Sequence, residues 1–323
     1  MAYSEQVLHR AQARLTQAKA DHESETNARI EALYRQYPRL REIDLALRRS
    51  VAQAVSAAFR KGQDPTAAIA AIRDENLALQ REREWILEAN DLEESALEHT
   101  PICPHCGGSG YVGAAMCECL RELCRQEQKK ELSSLLGGKE TFEQFRLDYY
   151  PTEPDPQMGV SPRALMQNTF QHCRRYAREF QHKSPSLLFT GAPGLGKTFL
   201  SACIARTVAD SGFSVVYDTA GKLFSDFEAV KFGGDRSDLT RKYLECDLLI
   251  IDDLGTEMTT QFTQSVLYQV INTRLMEEKP VIVSTNLTTE AIAHRYAGPI
   301  ASRLLGSYQL CPFLGRDIRQ LRR

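Results

Sequence analysis

The spacing of apolar and polar positions changes character twice along this chain. Through residues 1–98 the apolar residues recur at helical intervals. Ile69, Ile72, Leu79 and Ile86 fall at offsets of 3, 7 and 7 and share one helical face. The segment is rich in Ala, Leu, Glu, Arg and Gln and poor in Gly, which is helix-forming composition. Pro38 and the stretch Lys61-Gly62-Gln63-Asp64-Pro65 interrupt the pattern, so several helices are expected rather than one rod. Asp64 reads as a cap and Pro65 as a first-turn proline, starting a helix near Thr66. Such a region is a solvated helical bundle or short coiled coil, a partner-docking module, or both.

Residues 99–125 form a cysteine-bearing stretch. Residues 126–160 read as a linker that starts helical and turns irregular through Leu135-Leu136-Gly137-Gly138 and the proline-dense run from Pro151 to Pro162. From residue 161 to 323 short apolar strands alternate with helical patterns. The predicted strands are Ser186–Thr190, Val215–Asp218, Leu248–Ile251, Val281–Ser284 and Tyr308–Phe313. Strands separated by helices imply βαβ units and an α/β fold with a mostly parallel sheet flanked by helices.

Composition narrows the function classes. The chain has 323 residues, of which 42% are hydrophobic and 25% charged, enough for a real core and for more than one domain. A net charge of −2 gives no bulk preference for nucleic acid or an anionic membrane. No apolar run reaches spanning length, so no membrane partner is expected. The start, MAYSEQVLHRAQARL, has no apolar signal-peptide core, which makes the cytoplasm the expected address. Nine cysteines in such a setting point to metal or inert packing rather than disulfides.

The run Gly191-Ala192-Pro193-Gly194-Leu195-Gly196-Lys197-Thr198 matches G-x-x-x-x-G-K-[ST] in full. It follows the apolar strand Leu187-Leu188-Phe189 and opens a helical segment at Phe199, the context this motif requires. Glycines let the backbone wrap an anion with its N–H groups, and the helix N-terminus adds a favourable dipole. Residues 191–199 are therefore the expected nucleotide contacts. Lys197 bridges the β- and γ-phosphates and Thr198 ligates Mg²⁺. Leu248-Leu249-Ile250-Ile251-Asp252-Asp253 is an apolar strand ending in two carboxylates, where ligand groups gather in parallel sheets. Asp252 is the expected Mg²⁺-side carboxylate, and Asp253 the group that orients and deprotonates the attacking water. Val281-Ile282-Val283-Ser284-Thr285-Asn286 is a further apolar strand, whose terminal Asn286 is expected beside the carboxylates, helping hold the lytic water.

Cys103-Pro104-His105-Cys106, ten residues, then Cys117-Glu118-Cys119 form a C-x₂-C…C-x-C array. Four soft thiolates suit tetrahedral Zn²⁺, and Gly107, Gly108 and Gly110 supply the permissive backbone of a knuckle. So short a unit needs the metal to stay folded. His105 and Cys124 are spare donors, and a Cys-for-His exchange among the four ligands stays open. Inert or redox-paired cysteines are the other readings.

Residues from about 160 to 323 resemble the AAA+ ATPases of the bacterial replicative helicase loaders (the DnaC/DnaI type) and the similar IstB-like ATPase helpers of insertion-sequence transposition. The resemblance is carried by GAPGLGKT, LLIIDDLG (248–255), VSTN, Ser302-Arg303-Leu304 and Asp317-Ile318-Arg319. It implies a P-loop AAA+ (ASCE) sheet, ATP and Mg²⁺ as ligands, and self-association through the ATPase domain. Asp253 departs from the Asp-Glu of many AAA+ proteins but agrees with this group. By resemblance Arg303 is an arginine finger for a neighbouring subunit's γ-phosphate, and Arg319 a sensor arginine for the subunit's own nucleotide. No separate helical lid is expected after Arg319. One copy of Cys103-x-x-Cys106-x-Gly108-x-Gly110 also resembles a J-type chaperone zinc repeat, but those proteins carry several. A zinc-bearing N-terminal region looks instead like the DnaI-like loaders, where that region binds the hexameric replicative helicase. Transposition helpers usually lack it. The resemblance thus implies loading of a helicase onto single-stranded DNA, with transposition and a weakly hydrolysing nucleotide-switched adaptor as alternatives.

Between the second and third strands lie Lys222, Lys231, Arg236, Arg241 and Lys242 with Phe224, Phe227 and Phe232. In the loader group this stretch lies near single-stranded DNA, where cations neutralise phosphate and rings stack on bases. Phe224 and Phe227 at i, i+3 also suit a core, and Asp226, Glu228, Asp235 and Asp238 dilute the charge.

Overall fold

Pro38 cannot donate a backbone hydrogen bond, so it closes one helix and opens the next. In the computed structural model α1 runs Glu5–Gln36 and α2 Pro38–Ala58. After the Lys61–Pro65 stretch, which lies outside the described residues, α3 runs Thr66–Ala89 from the expected start. The structure describes residues 3–58, 66–137, 140–156, 159–233, 238–296 and 298–321. The chain divides into two compact units, Ala13–Cys117 and Met1–Gln12 with Glu118–Arg323. Among the described residues no helix is long and apolar enough to cross a membrane.

In the Ala13–Cys117 unit, α2 packs on α3. Ile30, Leu40, Leu87 and Leu97 form the buried cluster, with Tyr34, Tyr37 and Ile86 against it. Of the predicted apolar face, Ile72, Leu79 and Ile86 are half-buried, while Ile69 is exposed. The unit ends in a short antiparallel hairpin, β1 (Tyr111–Val112) and β2 (Ala115–Met116). Gly113 makes its tight turn with φ +60°, a conformation in which glycine has no steric penalty.

The second unit continues with α4 (Glu118–Leu136), α5 (Pro162–Arg178), β3 (Leu187–Thr190), α6 (Lys197–Asp210), β4 (Val215–Thr219), α7 (Ala220–Gly233) and α8 (Asp238–Glu245). Next come β5 (Leu248–Leu254), α9 (Gln261–Met276), β6 (Val281–Thr285), α10 (Thr289–Arg295), α11 (Gly298–Gly306), β7 (Gln309–Pro312) and α12 (Ile318–Leu321). Each predicted strand is present. Among the described residues they form a five-stranded sheet in the order β4-β5-β6-β3-β7, parallel at every pairing.

Strand side chains alternate between two cores. Leu187, Phe189, Ile250 and Ile282 meet one cluster, with Leu200 and Ile204 of α6. Leu188, Leu249, Ile251, Val281 and Val283 meet the other, with Leu267 and Val270 of α9. Apolar groups thus leave water on both faces of the sheet, at roughly 25 cal/mol per Å². Residues 126–160, read above as a linker, contribute Leu132, Phe142 and Tyr150 to the first cluster. The strand order matters for chemistry. β6 lies between β3 and β5, so the carboxyl ends of all three open side by side.

Candidate nucleotide and metal sites

Beyond β3 the chain turns through Gly191, Gly194 and Gly196 at φ +141°, +76° and +92°. Space also excludes side chains here. A Cβ on Gly191 would meet the Phe313 carbonyl oxygen at 2.3 Å, and one on Gly194 would meet Asp317 Oδ1 at 1.9 Å. Gly196 occupies the cap position of α6, whose free N–H groups face the loop. Lys197 Nζ donates to the carbonyls of Gly191 (2.6 Å) and Ala192 (2.8 Å) and to Asn286 Oδ1 (2.8 Å). Burial holds its ammonium down to about 8, against the opposing pull of Asp253 and Asp252.

A cavity of about 490 Å³ opens over this loop. Pro193, Gly194, Gly196, Lys197, Thr198 and Phe199 line it, together with Asp253, Asn286 and Arg319. Glu140, Gln144, Phe145, Arg146 and Tyr149 complete a wall of it. Lys197, Thr198, Asp253, Asn286 and Arg319 therefore share one space, whereas Asp252 does not line it. Gly191, Ala192 and Leu195 do not line it, and Tyr150 Oη donates to the Leu195 carbonyl at 2.8 Å.

The two carboxylates differ sharply. Asp252 is buried and accepts Tyr217 Oη at 2.8 Å and the Ser284 hydroxyl. Asp253 faces the cavity. The β5–β6 register shifts between Ile251 and Leu254, and Asp253 adopts φ +55°. The left-handed region is uncommon for a side chain, although aspartate and asparagine tolerate it best. Its N–H donates to Ser284 Oγ at 3.1 Å, and Thr256 Oγ1 bonds its carbonyl at 2.9 Å, which fixes the turn. Burial and the neighbouring Asp252 raise the Asp253 carboxyl above its ordinary range, with Lys197 and Arg319 opposing.

Arg319 reaches the cavity from α12, its Nε 3.1 Å from Asp317 Oδ1. Arg303 does not line the cavity. On α11 it donates to Asn272 Oδ1 through Nε (3.0 Å) and Nη2 (2.7 Å), and its guanidinium lies 4.8 Å from the Tyr268 ring centre.

The sulfurs of Cys103, Cys106, Cys117 and Cys119 all lie within 4.8 Å of one another, and neither His105 nor Cys124 belongs to this group. Cys103 and Cys117 sulfurs are 3.8 Å apart. That is far beyond a disulfide bond but matches the edge of a tetrahedron with metal–sulfur bonds near 2.3 Å, about 3.8 Å. The Gly110 N–H donates to Cys106 Sγ at 3.3 Å, a bond suited to a thiolate. The donor set fits zinc. Cys124 is a packing residue, fully buried, its thiol pushed up to about 11 by burial and Glu127.

The stretch read as a DNA contact is largely self-neutralised. Lys222 pairs with Asp226, Lys242 with Asp218 (2.9 Å) and Asp226 (3.3 Å), and Arg241 with Glu245. Phe224 is buried and Phe227 stacks on Tyr243. Phe232 is 75% exposed, with Lys231 over its ring. Arg236 and Asp235 lie outside the described residues.

Sequence reasoning missed the wall at 140–149, and with it Tyr150. The signal was present: four aromatics (Phe142, Phe145, Tyr149, Tyr150) within nine residues do not suit a solvated linker. Tyr217, which holds Asp252 with Ser284, carried no motif, and Ser284 was read only as part of the VSTN strand end.

Residues 166–300 match the family described as IstB-like ATP binding protein. The replicative helicase loader DnaC of Escherichia coli (strain K12) is 25% identical over 139 residues, 42% of this chain and 57% of that protein. The chain thus spans less than two thirds of that relative. The phage-like element PBSX protein XkdC of Bacillus subtilis (strain 168) is 26% identical over 252 residues, 72% of this chain and 87% of that protein. A solved DnaC helicase loader structure has 18% sequence identity and a TM-score of 0.46, covering 54% of this chain and 97% of that one.

Proposed function

From an IstB-like ATP-binding domain at residues 166–300, we propose that the chain is an ATP-hydrolysing loader that places a hexameric replicative helicase on single-stranded DNA. It acts in the cytoplasm of a bacterium or for a phage and assembles with itself through the ATPase domain. The observation that carries the choice of loader over transposition helper is the four-thiol cluster in the same chain.

Residues 1–98, a zinc module at 99–125 and a connecting stretch at 126–160 are the partner-binding part in this reading, and 161–323 the ATPase. The phosphate loop 191–199 cradles the triphosphate. Lys197 exchanges backbone carbonyls for phosphate oxygens. Thr198 and Asp252 would hold Mg²⁺, which would supply positive charge to neutralise the phosphates. The Tyr217 and Ser284 hydroxyls orient Asp252 for that work. Asp253 takes the proton of the attacking water, and Asn286 helps hold that water. Arg319 reads the γ-phosphate in its own chain, and Arg303 reaches the nucleotide of a neighbour. Cys103, Cys106, Cys117 and Cys119 would hold zinc, which supplies folding free energy to the knuckle.

The test uses the full chain with the replicative hexameric helicase of its source. ATP should support a complex of the two, and unwinding from single-stranded DNA coated with its binding protein should become dependent on this chain. No complex in any nucleotide state, with capture of a transposase instead, would move the reading to transposition. Full loading by Asp253→Asn at every ATP concentration would move it to the weakly hydrolysing switched adaptor.

A further inference from the structure

The C-terminal segment lies along the phosphate loop as a strap. The Phe313 N–H donates to the Thr190 carbonyl at 2.7 Å, and the Ile318 N–H to the Gly194 carbonyl at 3.0 Å. Between them Gly315, at φ +144°, packs where a Cβ would meet the Tyr150 ring at 3.0 Å. Tyr150 itself holds the Leu195 carbonyl, so loop and strap share one brace. The tightest point is Gly194, which has no room for a Cβ because the Asp317 carboxylate occupies that place. Asp317 in turn accepts three bonds from one residue. Its Oδ1 takes the Arg319 N–H (2.9 Å) and Nε–H (3.1 Å), and its Oδ2 takes Nη2 (3.2 Å). The Arg319 side chain is otherwise 70% exposed, so without this hold a long flexible cation would sample many rotamers.

We infer that Asp317 is the positioning residue for Arg319, seated on Gly194 so that movement of the phosphate loop and placement of the guanidinium are one event. This rests on the reading of Arg319 as the residue that senses the γ-phosphate. The carboxylate leaves part of the guanidinium edge free to take a phosphate oxygen, since five N–H donors are available and Asp317 uses two. The field at the site agrees: Lys197 and Asp253 both feel Arg319 across the cavity.

The experiment compares Asp317→Ala, Arg319→Ala and the double variant in the full chain, measuring kcat, KM and the affinities for ATP and ADP. Asp317→Ala should lower kcat and the preference for ATP over ADP by about tenfold, the scale of a charge-assisted bond, while ADP affinity stays within about twofold. The double variant should be no worse than Arg319→Ala alone, because both remove the same interaction. Asp317→Asn, which keeps the shape and one acceptor, should fall between parent and Asp317→Ala, and serves if the alanine variant does not fold. Independent, multiplying effects of the two substitutions, or equal loss of ATP and ADP affinity, would overturn the positioning role. If Arg319→Ala itself behaves as the parent, the reading of Arg319 fails and the proposal goes with it. If only Asp317→Ala behaves as the parent, the proposal alone fails.

Discussion

Lys197 and Asn286, 89 residues apart in sequence, are joined by a 2.8 Å hydrogen bond from Nζ to Oδ1. With the Gly191 and Ala192 carbonyls this satisfies all three ammonium protons inside the protein. The cation proposed to bind phosphate is thus held by neutral acceptors, and burial keeps its free-state value near 8.

That value sets a pH dependence. ATP favours the charged ammonium, so binding raises the Lys197 value. Below about 8 the free protein already carries the proton, and affinity is insensitive to pH. Above about 8 the free protein has lost it, so binding must take up a proton. Affinity should fall by up to about tenfold per pH unit above that point, with proton uptake approaching one per ATP. Calorimetry in buffers of different ionisation heat measures this uptake directly. Lys197→Ala should weaken binding and abolish the uptake; the same uptake in that variant would assign the proton elsewhere.

Asp253→Asn isolates the chemical step. Asparagine, like aspartate, tolerates the φ of +55° better than other side-chain-bearing residues, so the backbone turn should survive. In the proposed reading Mg²⁺ coordination would be left to Asp252 and Thr198. Binding of ATP should stay within about threefold, while hydrolysis falls by about 10²–10⁴, the usual share of a general base. Single-turnover hydrolysis at the parent rate would remove Asp253 from that role.

The sheet was legible because buried parallel strands read as continuous apolar runs, as Leu248-Leu249-Ile250-Ile251 does. The motif residues were legible because phosphate wrapping demands glycine at fixed spacing. What the sequence hid are pairings across distance. Nothing local says that Tyr217 and Ser284 close on Asp252, or that the place of a Gly194 side chain belongs to Asp317. The wall at 140–149 was hidden for another reason. Its Gly-Gly and proline flanks looked like linker, and that signal outweighed the aromatics. The strand pattern likewise gives no hint of the left-handed turn at Asp253.

The cysteine array predicts about one zinc per chain. Elemental analysis of protein purified without chelator should find it, and its absence would remove the claim. Cys117→Ser should lose the metal and the protection of the β1–β2 hairpin against hydrogen exchange. Nucleotide affinity should be unchanged within about twofold, since none of the four thiols lines the cavity over the phosphate loop.

Arg303 gives the prediction that separates assembly from single-chain chemistry. Its guanidinium rests on Tyr268 and Asn272 and takes no part in the cavity lining of its own chain. A finger acts by bringing a fixed positive charge to a γ-phosphate that another subunit holds. Arg303→Ala should therefore keep the ATP affinity of the isolated chain. It should lose about 10³-fold of the hydrolysis stimulated by assembly, within the range such arginines supply. Mixing resolves the geometry. In this reading Arg303→Ala chains should bind ATP but lack the finger, whereas Lys197→Ala chains should own the finger but lack tight ATP binding. Joined side by side, two defective chains rebuild one complete site. Activity above the sum of the pure variants at intermediate mixing ratios supports action in trans. A sum without gain, in mixtures whose co-assembly is verified by mass spectrometry, would make Arg303 a structural tie between α11 and α9.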